Sequence, residues 1–204
     1  SVNNFKNISD PINWKHSNDA EYFYYCANET IHGLEIHQIP NVNVPIVSDM
    51  SSTLCTRPIN IEKYGLIFAG AQKNLGIAGL TIVIVKKDLI IDKAKYLPPL
   101  MRFDSHYNEQ SMLNTSPVFS WYVAGLVFEW ILEQGGLDVM SKLNKNKALL
   151  FYNYIDNSTL YQNHVNPKFR SWVNIPFNMT KNDLEEKFIK MSSDAGFKNL
   201  RGHR

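Results

Sequence analysis

The chain has 204 residues, of which 44% are hydrophobic and 20% charged, a composition that is typical of a globular protein with one large or two small domains. Its 21 basic and 19 acidic residues leave a net charge of +2, which gives no reason to expect a nucleic acid or an anionic membrane as partner. The two cysteines, Cys26 and Cys55, are far apart and have no histidine cluster nearby, so we expect a reduced, cytoplasmic chain without a metal site.

The first half of the sequence contains four candidate strands. They are EYFYYCA (21–27), NVPIVSDM (43–50), YGLIFAGA (64–71) and GLTIVIVKK (79–87). Continuous runs of Val and Ile, as opposed to alternating ones, are typical of strands that are covered on both faces. The pattern therefore predicts an α/β fold, in which a mainly parallel sheet is covered by helices.

Two helices are predicted next. The segment PVFSWYVAGLVFEWILEQGG (117–136) is strongly apolar. Its apolar run contains a glutamate and falls short of the ~20 residues that cross a bilayer. It therefore predicts a buried helix that begins at Pro117 and ends at the Gly-Gly pair. Apolar residues that recur every three or four positions predict a second helix over 137–154.

The last part of the chain has the pattern of a smaller β-α unit. WVNIPFNM (172–179) alternates apolar and polar residues and predicts a half-exposed strand, which its proline places at a sheet edge or a bulge. TKNDLEEKFIKMSSDAGF (180–197) predicts an amphipathic helix with a capping box formed by Thr180 and Asp183. We expect this unit to belong to a second domain, with the boundary within 140–165.

One lysine, Lys73, lies in an otherwise small and apolar segment, FAGAQKNLGIAGLTIVIVKK (68–87). Desolvation disfavours the charged form of a lysine, and a neutral amine can form a Schiff base with a carbonyl, as pyridoxal phosphate enzymes require. Those enzymes also place a carboxylate at the pyridine nitrogen of the cofactor. Asp49 ends the preceding strand, and ligands collect at the carboxyl ends of parallel strands. The residues alone leave an alternative open, in which the lysine is solvated and the aspartate caps a turn.

Five motifs follow one another at characteristic spacing. They are YYCANETIHGLEI, SDMSSTLCTRPINIEKYG, YGLIFAGAQKNLGIAGLTIVIVKKDLI, SMLNTSPVFSWYVAGLVFEWI and LRGHR. Together they resemble the phosphoserine aminotransferase family, which consists of class-V, fold type I pyridoxal phosphate enzymes. The resemblance covers nearly the whole chain. Two departures, Ile77 for a usual proline and His32 for a frequent aspartate, affect no catalytic role.

The resemblance implies four residues that contact the cofactor, pyridoxal 5'-phosphate. Lys73 matches the Schiff-base lysine, which also moves the substrate proton. Gln72 matches a contact to the cofactor phosphate. Asp49 matches the partner of the pyridinium nitrogen, and Thr30 matches a hydroxyl that hydrogen-bonds the cofactor.

The resemblance implies a further four residues outside this group. Asn114 and Thr115 match residues that reach the cofactor phosphate of the neighbouring subunit, which implies a homodimer with shared active sites. His203 and Arg204 match groups that bind the substrate phosphate. Taken singly, these residues also have structural interpretations, namely a helix cap for the first pair and a frayed basic tail for the second.

The implied activity is amino transfer between L-glutamate and 3-phosphohydroxypyruvate, in serine biosynthesis and, in bacteria, pyridoxine biosynthesis. Other parts of the family pattern do not occur, so we expect an internal fragment that by itself binds cofactor weakly. Residues 1–150 would belong to the large cofactor-binding domain and residues 151–204 to a small C-terminal domain. The alternatives are another fold type I aminotransferase or desulfurase, and a non-catalytic module that dimerises through the aromatic helix.

Overall fold

The computed structural model describes residues 5–90 and 95–201. The elements follow in chain order: β1 (Phe23–Cys26), β2 (Asn28–Glu29), β3 (Leu34–Glu35), β4 (Ile46–Asp49), β5 (Leu66–Gly70), β6 (Thr81–Val85), α1 (Phe103–Asn108), α2 (Val118–Glu133), α3 (Gly136–Asp156), β7 (Tyr161–Gln162), β8 (Asn178–Met179) and α4 (Glu185–Asp194). They form two compact units. The sheet unit contains Asp10–Ala27 and Gln38–Lys142, and the C-terminal unit contains Ser1–Ser9, Asn28–His37 and Leu143–Arg204.

The sheet unit is built on four strands in the order β1-β4-β5-β6. Strands β1, β4 and β5 are parallel, and β6 runs antiparallel to β5. All four predicted strands are present, and the prediction of a mainly parallel sheet is confirmed. The direction reverses at β6 because only residues 71–80 connect it to β5, and a parallel crossover needs a dozen residues or more.

The two faces of this sheet differ in burial. Cys26, Asp49 and Phe68 are register partners and share one face, since side chains alternate along a strand. On that face Tyr24 is 53% and Val83 is 40% exposed. The opposite face carries the buried side chains of Tyr25, Ile46, Ser48, Ile67 and Ala69. The expectation that the strands are covered on both faces is therefore wrong for the described part of this chain.

Helix α2 has the predicted bounds but not the predicted burial. Trp121, Tyr122 and Trp130 are 44%, 62% and 47% exposed. The buried residues of α2 are Ser120, Ala124 and Ile131. Its small residues let the helix backbone approach the β5–β6 loop closely, which leaves the large side chains facing away. Of the helices in the described ranges, none combines the length and apolar character that crossing a membrane would require.

The C-terminal unit consists of two small antiparallel pairs, β2–β3 and β7–β8, with helical segments. A cluster of Leu34, Val165 and Phe169, against which Ile8 packs, forms a small core. The predicted second helix is confirmed as α3.

Two local predictions for this unit are wrong. Within the predicted strand 172–179, only β8 is a strand, because the preceding backbone bonds to side chains such as that of Glu35. The capping box does not form, because α4 begins later, after Leu184, and has no side-chain cap. The Thr180 hydroxyl instead donates to the carbonyl oxygen of Thr159, 2.9 Å away.

Candidate active site

Asp49 and Lys73 lie at the carboxyl ends of neighbouring parallel strands. Asp49 is the last residue of β4 and lies opposite Phe68 of β5. Lys73 lies in the loop that begins directly after β5. Both belong to the sheet unit, so the fold brings a carboxylate and a primary amine to the same sheet edge.

Two hydrogen bonds join the loops that carry these groups. The amide of Gly70 donates to the Ser51 hydroxyl oxygen, 3.0 Å away. The side-chain amide of Asn74 donates to the carbonyl oxygen of Leu54, 2.6 Å away. The two loops therefore form one connected edge. The sequence analysis did not identify Ser51 and Asn74, although polar side chains directly after two strands were a usable signal.

The carboxylate of Asp49 is half-buried and fixed by its own loop. Its Oδ1 accepts a hydrogen bond from the amide of Ser51 at 2.8 Å. Burial and, second, the negative charge of Asp49 raise the pKa of Tyr24, whose ring lies parallel to that of Phe68 with 6.4 Å between centroids. Tyr24 thus stays a neutral hydroxyl beside the carboxylate at physiological pH.

The side chains of Gln72 and Lys73 are both exposed. The expected desolvation of Lys73 by the surrounding small residues is wrong for the described residues, because Lys73 lies in a surface turn and not within the strand. Gln72 folds back over Gly70. A Cβ atom at position 70 would lie 2.3 Å from Gln72 Oε1, so glycine is required for this arrangement. Gly79, at the far end of the loop, has φ +111°, which also favours glycine.

Thr30 belongs to the C-terminal unit and follows β2 in a turn. It is half-buried. Its carbonyl oxygen accepts a hydrogen bond from the side-chain amide of Asn174 at 2.9 Å. The Thr30 backbone is therefore held by a side chain of its own unit.

Asn114 and Thr115 lie in the exposed segment before α2, where the Asn114 side-chain amide donates to the Thr115 carbonyl oxygen at 3.1 Å. Asn114 lines a cavity of about 650 Å³ between β6, α1 and α2. Neither Asp49 nor Lys73 lines this mainly apolar cavity, so it is separate from the part of the sheet edge that carries these two residues. His203 and Arg204 lie outside the described residues.

The groups at the sheet edge suit an aromatic nitrogen base that carries an aldehyde. A fixed carboxylate can pair with a protonated ring nitrogen, and a primary amine can bond covalently to a carbonyl carbon. The carboxylate and the amine at this edge therefore fit the predicted cofactor. In the described ranges, no group of three or more metal-ligating side chains could hold a metal ion.

Comparisons with known proteins agree with the fold and with the motifs. The aminotransferase class-V family matches residues 2–203. A phosphoserine aminotransferase of Idiomarina loihiensis is 45% identical over 199 residues, which are 98% of this chain and 55% of that protein.

Two solved structures are also similar. The phosphoserine aminotransferase of Bacillus circulans subsp. alkalophilus has a TM-score of 0.94 at 38% identity, over 98% of this chain and 56% of that one. The phosphoserine aminotransferase of Trichomonas vaginalis, solved with PLP bound, has a TM-score of 0.86 at 41% identity, over 93% of this chain and 55% of that one. The predicted fold class is confirmed, and the chain spans about half the length of the relatives it matches.

Proposed function

Because this chain belongs to the aminotransferase class-V family, we propose that the complete protein is a phosphoserine aminotransferase. It transfers an amino group reversibly between L-glutamate and 3-phosphohydroxypyruvate, and it forms 2-oxoglutarate and O-phospho-L-serine. Its cofactor is pyridoxal 5'-phosphate.

One observation carries the proposal. A carboxylate and an amine follow adjacent parallel strands, β4 and β5, in a chain that is similar to phosphoserine aminotransferases over 98% of its length. The strand ends supply the two chemical functions that the cofactor needs. The similar proteins reported above are phosphoserine aminotransferases. This supports a phosphorylated substrate over the unphosphorylated substrates of other fold type I aminotransferases.

Four residues of this chain hold the cofactor in the proposed site. When bound, pyridoxal phosphate supplies an electron sink for the carbanion that forms at the substrate α-carbon. The Lys73 amine would hold the cofactor through its aldehyde carbon, with loss of water, and its Nζ would take the proton from the substrate α-carbon once the substrate amine has replaced it. Asp49 keeps the ring nitrogen protonated by pairing with it, which the amide of Ser51 supports by fixing Oδ1. Gln72 binds the phosphate, and the Thr30 hydroxyl donates to the cofactor.

The remaining assigned residues bind the substrate or contribute to the active site of a second subunit. His203 and Arg204 bind the phosphate of the substrate. Asn114 and Thr115 bind the cofactor phosphate of the second subunit in a homodimer, and their exposure supports a role outside their own sheet edge. The large exposed side chains of α2 support an interface beside them.

The proposal extends to domains and location. Residues 1–150 belong to the large cofactor-binding domain, and residues 151–204 belong to the small C-terminal domain. The enzyme acts in the cytoplasm, where it serves serine and, in bacteria, pyridoxine synthesis.

The test uses the complete protein with added pyridoxal phosphate. A yellow adduct forms, borohydride fixes the cofactor covalently, and peptide mass spectrometry locates it on Lys73. The variant Lys73→Ala gives no adduct at this peptide. Specific trapping at another lysine in that variant would contradict the assignment.

Substrate choice separates the candidate activities. With L-glutamate as donor, we expect kcat/KM to be far higher for 3-phosphohydroxypyruvate than for hydroxypyruvate, because a charge-assisted phosphate contact contributes about 1.5–3 kcal/mol. Equal kcat/KM values for the two keto acids would favour another aminotransferase of the same fold. Cofactor binding without any turnover would favour the non-catalytic module.

A further inference from the structure

The turn that carries Thr30 is held on one side by Glu29. The Glu29 carboxylate accepts hydrogen bonds from the amides of Ile31 at 3.0 Å and His32 at 2.7 Å. The backbone carbonyl of Glu29 accepts a third hydrogen bond, from the amide of Gly33 at 3.0 Å. All three hydrogen bonds lie within residues 29–33, so they fix the conformation of the turn. They do not fix its orientation relative to the rest of the unit, which depends on contacts with other residues.

The side chain of Asn174 also holds this turn. Its Nδ2 donates to the Thr30 carbonyl oxygen at 2.9 Å. Its Oδ1 accepts hydrogen bonds from Asn28 Nδ2 at 2.8 Å and from the Ser171 hydroxyl at 3.0 Å. The carboxamide is therefore bonded at both ends, which fixes the direction in which Nδ2 points. Asn174 is 144 residues away from Thr30 in the chain.

The segment that carries Asn174 is itself anchored in buried polar contacts. Ser171 is fully buried, its amide donates to the Gly33 carbonyl oxygen at 2.9 Å, and its carbonyl accepts from the Tyr152 hydroxyl at 2.9 Å. The next amide, of Trp172, donates to Glu35 Oε2 at 2.8 Å, and Glu35 is 1% exposed. Because this segment is held by several buried hydrogen bonds, the Asn174 side chain has a fixed position from which it bonds the turn.

We propose that Asn174 is a positioning residue for the cofactor contact of Thr30, an inference that rests on the proposed function. The Asn174 amide fixes the Thr30 backbone, and the backbone sets the direction of the Thr30 hydroxyl. A hydroxyl that is already aimed loses less conformational freedom on binding, which raises affinity without any contact between Asn174 and the cofactor.

The test measures the dissociation constant of pyridoxal phosphate from the complete protein, prepared without cofactor and titrated by absorbance. Thr30→Val removes the hydroxyl at nearly constant volume, and we expect the dissociation constant to rise about tenfold, as the loss of one hydrogen bond predicts. Thr30→Ser, which keeps the hydroxyl, should restore most of the affinity.

Asn174→Ala is expected to raise the dissociation constant about five- to tenfold. Asn174→Asp keeps an acceptor for Asn28 and Ser171 but replaces the Nδ2 donor with an oxygen that the Thr30 carbonyl oxygen repels. It is therefore expected to raise the dissociation constant at least as much as Asn174→Ala, and it serves if the alanine variant does not fold. Because Asn174 acts through Thr30, the double variant Thr30→Val/Asn174→Ala should bind no more weakly than Thr30→Val alone.

Asn163→Ala is the matched control. Asn163 is also half-buried in the C-terminal unit, donates to the Pro176 carbonyl oxygen at 2.6 Å and accepts from the Val165 amide at 2.9 Å. Its removal should lower the melting temperature about as much as Asn174→Ala does. It should leave the dissociation constant within about twofold of the wild-type value, because neither hydrogen bond is made to Thr30 or to Asn174.

The outcomes separate this inference from the proposed function. If Thr30→Val weakens binding but Asn174→Ala matches the Asn163→Ala control, or if the effects of Thr30 and Asn174 simply add, the positioning role is overturned while the enzyme assignment stands. If Thr30→Val leaves binding unchanged, the role of Thr30 falls and the inference falls with it. If borohydride traps no cofactor on Lys73, the proposed function itself fails.

Discussion

Replacing Gly70 with alanine tests whether the Gln72 side chain contributes to cofactor binding. The new Cβ atom would lie 2.3 Å from Gln72 Oε1 and 3.0 Å from Nε2. Non-bonded heavy atoms settle at about 3.5 Å, so the Gln72 amide must move by about 1 Å. The amide can do so without harm to the fold, because Gln72 is exposed and Gly70 has strand geometry, which alanine also adopts.

The expected result is a loss of affinity with little loss of stability. A hydrogen bond from Gln72 to a charged phosphate is worth about 1.5–3 kcal/mol, so displacing the amide should raise the dissociation constant of pyridoxal phosphate about 10- to 150-fold. The melting temperature of the cofactor-free protein should change by no more than about 2 °C. Absorbance titration and calorimetry measure the two quantities.

Gly65→Ala is the control for the exchange of glycine for alanine. Its Cβ would lie 2.8 Å from Pro45 Cβ and 2.8 Å from Leu89 Cδ1, and Pro45 is too rigid to move aside. This variant should lose stability but keep its cofactor affinity. In addition, Gly70→Ala/Gln72→Ala should bind no more weakly than Gln72→Ala. Undiminished affinity in Gly70→Ala, together with weakened binding in Gln72→Ala, would refute the steric argument.

Three further predictions concern stability. Ser51→Ala removes the acceptor of the last amide of β5 and should cost about 1–2 kcal/mol by urea unfolding; an unchanged midpoint would show that the loops are held without this bond. A bidentate bond from Arg170 lowers the pKa of Asp156 below 3.8, so the pair stabilises the fold above about pH 4 and loses this contribution as the pH falls below that value. The stability of Asp156→Asn should therefore be slightly lower than wild type at pH 7, by at most about 1 kcal/mol because the carboxylate is half exposed, and the difference should vanish in acid. Burial raises the pKa of both Tyr25 and Tyr64 above 10.0, so their contribution is present below about pH 10 and is lost as the pH rises further. In that alkaline range the free energy of unfolding of Tyr64→Phe should fall less steeply with pH than that of the wild type. An unchanged slope would contradict the view that ionisation of Tyr64 contributes to the loss of stability.

The sequence predicts the strands well because their signal is local. In NVPIVSDM the apolar residues Ile46 and Val47 are consecutive, and in YGLIFAGA Leu66, Ile67 and Phe68 are consecutive; the strands β4 and β5 contain these residues. The parallel order also follows from general rules for such runs. The reversal at β6 depends on the length of a single loop, which the predicted strand bounds contain but which the apolar pattern of each strand does not reveal.

Burial is predicted less well because it depends on what packs against a side chain. A residue such as Trp121 is apolar in any setting, yet in the described structure it is 44% exposed. In α2, the small residues Ser120 and Ala124 make the contact with the β5–β6 loop. Hydrophobicity alone ranks them below the aromatic residues, so the sequence predicts a buried helix but does not identify the small residues as the ones that are buried.

The sequence could single out polar residues such as Ser51, but it could not predict which hydrogen bonds support the candidate site. The bonds from Gly70 to Ser51 and from Asn174 to Thr30 join residues 19 and 144 positions apart. Each depends on loop conformations that no periodicity encodes. Motif matching selects candidates for binding or reaction, such as Asp49, because the proposed chemistry restricts them to few residue types. A supporting hydrogen bond, in contrast, can come from any of several polar side chains.

The two ends of the proposed site carry different kinds of side chain, and each kind suits the role proposed for it. Asp49 ends a central strand, is half-buried and has Oδ1 fixed by a backbone amide at 2.8 Å, so its carboxylate can hold a ring nitrogen in one place throughout the reaction. Lys73 is exposed on a turn, at the end of a flexible four-carbon stem. In the proposed site this amine would hold the cofactor and would also move the proton at the substrate α-carbon, so it would have to reach more than one position. A rigid amine could not serve each of these positions, and a mobile carboxylate would let the ring shift between them.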